Sequence, residues 1–353
     1  MRKLLLRYFV LFVLACIVSC TPPVDSTPSS TFSCGVLSSK AENISAQELT
    51  LKVRFFVLEG EESDQLTKKI NENKLTLWSS DVVGTLLDNR EVTTPSSGNY
   101  SCAILLDKVY NIINYDFDRK LSPTEFFLRK FLKNQGVNNS FLFSSLETKP
   151  PNVSFYGKGF TSNYVGLDLT LARLLNNVEE PTEKIRKLPL LQGIDILLDT
   201  IYRNGKGNNR NLLLIYSRTS YLNSGITKDS VINKAKRLGI KVSTIMDKGG
   251  EYDVDYDLAN DDLFFKIADI TGGFVYKDND YISYFDKLIL ASRLSNILEG
   301  NFKCFESTWK IVPEGIRTDP FQSGFYAEGN LKVDLGTQFL SNVIELPFII
   351  NLK

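Results

Sequence analysis

Histidine is absent from all 353 residues, which removes the commonest metal ligand and the commonest general base together. Ser-His-Asp, Cys-His and HExxH chemistries are thereby excluded. Acids gather most densely in Glu251-Tyr252-Asp253-Val254-Asp255-Tyr256-Asp257, with Asp261 and Asp262 beyond. Its Asp-x-Asp-x-Asp spacing is that of a calcium-loop start. The glycine such a loop needs is Leu258 and the closing glutamate is Phe264, so the EF-hand reading fails. The stretch reads as a solvated acidic loop, with extracytoplasmic Ca²⁺ or a tyrosine-bearing contact surface as alternatives. No motif converges carboxylates or lysines on a reacting group. No catalytic residue, cofactor or metal is therefore assigned, and the chain is read as a non-enzyme.

Five cysteines are present, at 16, 20, 34, 102 and 304. Arg2, Lys3 and Arg7 precede an apolar run, Tyr8 to Val18, too short to cross a membrane comfortably; it reads as a secretory signal. The run ends Ile17-Val18-Ser19-Cys20, which resembles a bacterial lipobox, with Cys20 the lipidated residue. Val13-Leu14-Ala15-Cys16 is a competing site, but it would leave Ile17 and Val18 exposed. Residues 21–31 are rich in Pro, Ser and Thr, the composition of a tether. The expected location is a bacterial cell envelope, lipid-anchored, at the outer membrane. Cys102 lies in an apolar strand and reads as a small core residue. Cys34 and Cys304 are a candidate disulfide, which an exported protein permits. Basic and acidic residues number 41 each, no long basic stripe appears, and nucleic acid is excluded as a partner.

The elements that would position any site follow from periodicity. Ser101 to Asp107 is a short apolar run ending in an acid, as in a central parallel strand. Helix and strand then alternate: a helix over 125–133, strands over 141–146 and 153–156, a helix opened by Phe160-Thr161-Ser162-Asn163 and running to Leu175, and a helix over 190–202. A strand over 211–216, a helix over 227–238 stopped by Gly239, and a strand over 240–246 come next. Ile267 to Tyr276 runs from a helix through Thr271-Gly272-Gly273 into a strand, and a last helix covers 281–298. This order predicts an α/β fold, a doubly wound, mostly parallel sheet in three layers. Strands over 49–58, 74–78 and 90–93, a short helix-like piece over 66–70, and strands over 302–312, 324–335 and 343–352 flank it. The pieces before and after are each too short to bury a two-sided core. They are expected to form one β-sandwich interrupted by the α/β block. The resulting division is a signal over 1–20, a tether over 21–44, sandwich over 45–98, α/β domain over 99–299 and sandwich over 300–353.

Between Asn99 and Leu298 the order and phrasing resemble the von Willebrand factor A domain, on four features: the strand ending in Asp107, the strand Leu212 to Ser217, the Gly239-Ile240-Lys241-Val242 entry, and Thr271-Gly272-Gly273. The flanking strands resemble those of bacterial exported proteins in which such a domain interrupts a sandwich. The resemblance implies a divalent cation at the carboxyl ends of the strands, held by Asp-x-Ser-x-Ser, a threonine and a further aspartate. Here the first motif reads Asp107-Lys108-Val109-Tyr110-Asn111. Val109 cannot coordinate, and Asn111 offers an amide oxygen at best. The threonine position falls near Lys187-Leu188. After the fourth strand stands Ser217-Arg218-Thr219, with a cation in place of the acid. Asp107, Val109, Asn111 and Arg218 thus read as a vestigial metal site, with an Asp107–Arg218 ion pair in the metal's place or the two residues unpaired in separate loops. The expected function is metal-independent protein binding, in adhesion or assembly, through loops at 108–123, 156–163, 217–225 and 247–262. Those loops carry Tyr110, Tyr115, Tyr156, Tyr221 and Tyr252. The alternative is a structural scaffold subunit whose sandwich makes the contacts, which exposed apolar edges at 302–312 or 343–350 would favour.

Overall fold

Strand formation in the middle of the chain follows from side chains buried on both faces. Tyr100–Asp107 (β5) places Ile104 against helices on one side and Ala103 and Leu105 against helices on the other, all within 1 % of full burial. The computed structural model describes residues 32–45, 47–59, 75–94, 96–107, 123–147, 150–176, 189–216, 225–246, 258–277, 284–300, 302–315, 321–334 and 343–352. All of them form one compact unit within Phe32–Lys353.

The α/β block runs β5, α1 (Pro123–Lys133), β6 (Ser140–Leu146), β7 (Val153–Thr161), α2 (Tyr164–Asn176), α3 (Leu190–Asn204), β8 (Asn209–Tyr216), α4 (Lys228–Leu238), β9 (Ile240–Met246), α5 (Leu258–Thr271), β10 (Val275–Lys277) and α6 (Tyr284–Glu299). Its strands lie in the order β10-β9-β8-β5-β6-β7, all parallel except the edge strand β7. This is the doubly wound α/β arrangement, with α3, α4 and α5 on one face and α1, α2 and α6 on the other. Local chemistry fixes the boundaries. Thr227 caps α4 by accepting from the Ser230 N–H, and Gly239 ends it in the left-handed region at φ 64°.

The flanking segments supply Phe32–Ser45 (β1), Glu48–Glu59 (β2), Leu75–Ser79 (β3) and Val82–Thr93 (β4) before the block. After it come Lys303–Pro313 (β11), Tyr326–Asp334 (β12) and Val343–Asn351 (β13). Strands β4, β11, β2 and β1 join side by side, while β13, β12 and β3 form a separate sheet. The two pack face to face: Leu51, Val53, Phe55, Phe305 and Trp309 meet Leu331, Val333, Phe348 and Ile350 in one core. The α/β block interrupts this sandwich, and its ends meet where Thr94 N–H donates to Phe302 O at 2.9 Å and Ser97 N–H to Glu299 O at 2.6 Å.

Three expectations change. Residues 32–44, read as tether, are strand β1. Their sequence, polar at Ser38-Ser39-Lys40 and Glu42-Asn43, gives no strong strand signal, and the pairing comes from distant partners, β2 on one side and β10 on the other. Through the Val36–Val275 pairing the sandwich and the α/β sheet become one ten-stranded sheet. The weak strand over 90–93 is the end of the 12-residue β4. Cys34 and Cys304 do not pair: Cys304 is a free, buried thiol. The register explains why. Cys34 lies opposite Val57 on β2, while β11 flanks the other side of β2 with Phe305 opposite Phe55. Two strand spacings, about 9.5 Å, exceed the roughly 7 Å that a disulfide spans between Cα atoms. The helix-like piece over 66–70 lies outside the described residues.

Candidate functional site

In a doubly wound sheet, ligands sit outside the carboxyl ends of the strands, at the point where strand order reverses. Here that point falls between β5 and β8, which are parallel neighbours with Leu106 opposite Ile215. Asp107 is the last residue of β5 and Tyr216 the last of β8. Topology therefore places Asp107, the end of β5, beside the end of β8, which Arg218 follows by two residues in the sequence. Val109, Tyr110, Asn111, Tyr115, Arg218, Tyr221 and Tyr252 lie outside the described residues, as do Lys187, Leu188 and Cys20. For Asp107 the strand position is described and the side-chain contacts are not.

Beside this point the carboxyl end of the sheet is packed by the first turn of α3, the end of β6 and the start of β7. Gly193 brings α3 so close that a Cβ there would lie 2.3 Å from Leu146 Cδ2 and 3.7 Å from Leu105 Cδ2. Pro189 precedes α3 and provides no side-chain cap, so the positive end of this helix faces the carboxyl end of the sheet. Asn152, at φ 67°, donates through Nδ2 to Gln192 Oε1 at 2.7 Å and accepts at its carbonyl from Glu147 N–H at 2.9 Å. Ser145 Oγ donates to Glu147 Oε1 at 2.9 Å. These polar contacts tie β6, β7 and α3 into a rigid rim. Among the described residues, no three His, Cys, Asp or Glu side chains gather in a way that could hold a metal ion.

Tyr156 is not in a loop. Residues 153–161 form the edge strand β7, which runs opposite to β6, so Tyr156 stands beside Phe143, midway along β6, and Thr161 reaches the amino end. The Tyr156 ring packs half-buried against the core, with its hydroxyl 3.3 Å from Ser145 Oγ. The expected contact loop at 156–163 is thus strand and helix start. Nor is β11 an edge: it lies between β4 and β2. β13 is an edge strand with Val343 45 % exposed, but Leu346, Phe348 and Ile350 are buried.

No protein-family model matches the sequence, and no curated protein matches it. Solved structures similar to it include the human COPII-coat protein Sec24c, at 11 % identity and TM-score 0.40, covering 75 % of this chain and 46 % of that one. A von Willebrand factor type A protein from Catenulispora acidiphila has 8 % identity and TM-score 0.38, with 92 % and 74 % covered. The pilus adhesin SpaC from Lactobacillus rhamnosus GG, in its open conformation, has 6 % identity and TM-score 0.39, with 92 % and 48 % covered. The chain spans about half the length of the Sec24c and SpaC structures. The α/β assignment rests on the strand order itself.

Proposed function

We propose that the chain is an exported, lipid-anchored protein-binding protein of adhesion or assembly type, anchored through Cys20 in a bacterial envelope membrane. It binds without a metal, at the carboxyl end of its von Willebrand-like sheet, and catalyses no reaction. The observation that carries this reading is the adjacency of β5 and β8 at the reversal of strand order. A cation there would draw on the residues just after both strands. Those residues include Val109, whose side chain has no donor atom, and Arg218, whose charge opposes a cation. Tyr110, Tyr221 and Tyr252, in the loops that follow β5, β8 and β9, supply the aromatic anchors that protein interfaces favour.

The test is capture of partners from envelope extract by the immobilised chain, with and without EDTA. Binding that survives EDTA and is lost in Tyr110→Ala/Tyr221→Ala supports the reading. Binding abolished by EDTA overturns it. A second reading, a scaffold subunit, is favoured by one observation: the Val36–Val275 pairing makes the sandwich and the α/β block a single sheet, suited to bracing. Capture unchanged in the tyrosine variant but lost on Val343→Lys would select it.

A further inference from the structure

The ten-stranded sheet ends in β7 on one side and in β4 on the other. Among the described residues β4 pairs only with β11, and seven of its twelve residues are exposed, so its outer edge is open. Thr94 N–H donates to Phe302 O on the β11 side. By the antiparallel alternation, Asp88, Arg90 and Val92 therefore turn their backbone groups toward β11, and Asn89, Glu91 and Thr93 turn theirs outward. Open edges are commonly blunted by irregular backbone, proline or short length, and the other three edges of this unit are. β7 passes through Gly157 and Gly159 at positive φ, β13 contains Pro347, which has no N–H to offer, and β3 has five residues. β4 carries one bulge, at Leu87, between the Asp88–Thr308 and Leu86–Trp309 pairs, and runs in regular register from Asp88 to Thr93. Three of those six residues are charged: Asp88, Arg90 and Glu91.

We propose that β4 pairs with β4 of a second copy of this chain, antiparallel, about a two-fold axis at Asn89. The charges select both the occupant and the register. Glu306 is bonded by Arg54 and by Arg90, one carboxylate for two guanidinium groups, and Glu91 is paired with Lys303. The trio on β2, β11 and β4 therefore keeps one positive charge in excess. A copy centred on Arg90 would set Arg90 opposite itself, and a copy centred on Glu91 would set Glu91 opposite itself; like charges directly opposite are destabilising. Centred on Asn89, the pairing puts Asp88 of each copy opposite Arg90 of the other on one face, so the favourable contact is made twice and meets the excess charge. That reciprocity is the property of an isologous two-fold contact. Asn89, whose backbone faces outward, then exchanges both hydrogen bonds with its own counterpart. The bulge at Leu87 ends the regular ladder on one side of this centre, so the contact is short and the dimer is expected to dissociate in the micromolar range, about 1–100 µM.

The body Phe32–Lys353, which contains every described element, is followed by sedimentation equilibrium up to about 100 µM. The expected result is a reversible dimer. Asp88→Arg, a change at an exposed position that sets like charges opposite in both contacts, should weaken it about tenfold. Val343→Lys, on the β13 edge, should change it less than about twofold. An independent readout is Asn89→Cys under mild oxidation: a residue paired with its own counterpart lies about 5.5 Å away between Cα atoms, within disulfide reach, so a covalent dimer should form that the parent with its native cysteines does not give. A body that stays monomeric throughout, a dimer indifferent to Asp88→Arg, a dimer lost equally in Val343→Lys, or no cross-link in Asn89→Cys overturns the proposal. Because no arm involves the crevice, these outcomes are independent of metal-free binding there.

Discussion

A methyl group added at Gly273 is the sharpest test of how the sheet is assembled. The Thr271-Gly272-Gly273 turn leads α5 into β10, and Thr271 Oγ1 accepts from Val242 N–H at 3.0 Å while donating to Ile267 O at 2.6 Å. The turn then lies directly on β9: a Cβ at Gly273 would stand 1.9 Å from Val242 O and 2.5 Å from Val242 C. Those are backbone atoms, which cannot retreat by changing rotamer, so β9 and β10 must separate. That strains the Thr244 N–H to Phe274 O bond of 2.9 Å and the pairing that carries β1. Gly272 is the control, with φ 77° but nothing within 4 Å of its added Cβ. Gly272→Ala should cost about 1 kcal/mol, for the left-handed backbone alone. Gly273→Ala should cost roughly 3 kcal/mol, the upper range of overpacking. At about 2.1 cal/mol/K of unfolding entropy per residue, in a unit spanning Phe32–Lys353 that is a fall in Tm of roughly 4 to 5 °C against about 1.5 °C for the control. Calorimetry on the two variants and the parent decides. A Gly273→Ala loss no larger than that of Gly272→Ala would refute the close approach.

Two other outcomes follow from the buried groups. Glu306, 5 % exposed, bonds Arg54 on one neighbouring strand at 2.6 Å and Arg90 on the other at 2.5 Å. Burial alone would raise its carboxyl, but the hydrogen bonds and charges of Arg90 and Arg54 prevail and hold it below the ordinary 4.5. Its stabilising effect is therefore complete above the ordinary glutamate range and is lost as pH falls through the depressed value. Denaturant titrations should show Glu306→Gln removing that part of the acid limb and costing about 1–2 kcal/mol near neutrality; an unchanged acid limb would contradict the network. The Cys304 thiol is pushed up to about 11 and that of Cys102 higher still, both by burial. Neither should react with Ellman's reagent until the chain is unfolded, and non-reducing mass analysis should find Cys304 reduced.

The α/β block was legible in the sequence because each of its elements carries its own signal. Thr227 and Gly239 bracket α4 at the residues expected of a cap and a stop, and the apolar run at 240–246 coincides with β9. What stayed hidden depends on distant partners. β1 is polar at Ser38-Ser39-Lys40 and becomes a strand through β2 and β10. β7 extends five residues beyond the expected Tyr156, through Gly157 and Gly159 at positive φ, and that extension turns an expected binding loop into an edge strand. The crevice shows the complementary case. Sequence placed Asp107 and Arg218 after two strands, and only the strand order shows those strands to be neighbours at the reversal point.

The most direct test of metal-free binding is a thermal melt of Phe32–Lys353 with Mg²⁺, Mn²⁺, Ca²⁺ or EDTA, in the parent and in Asp107→Ala. A cation bound only by the folded state at a hundredfold excess over its dissociation constant would add about 2.7 kcal/mol and raise the midpoint visibly. The account predicts no shift with any ion. A saturable rise with Mg²⁺ or Mn²⁺ that disappears in Asp107→Ala would contradict it and restore a metal to the crevice. A rise with Ca²⁺ alone, retained in Asp107→Ala, would direct attention to the acidic stretch at 251–262.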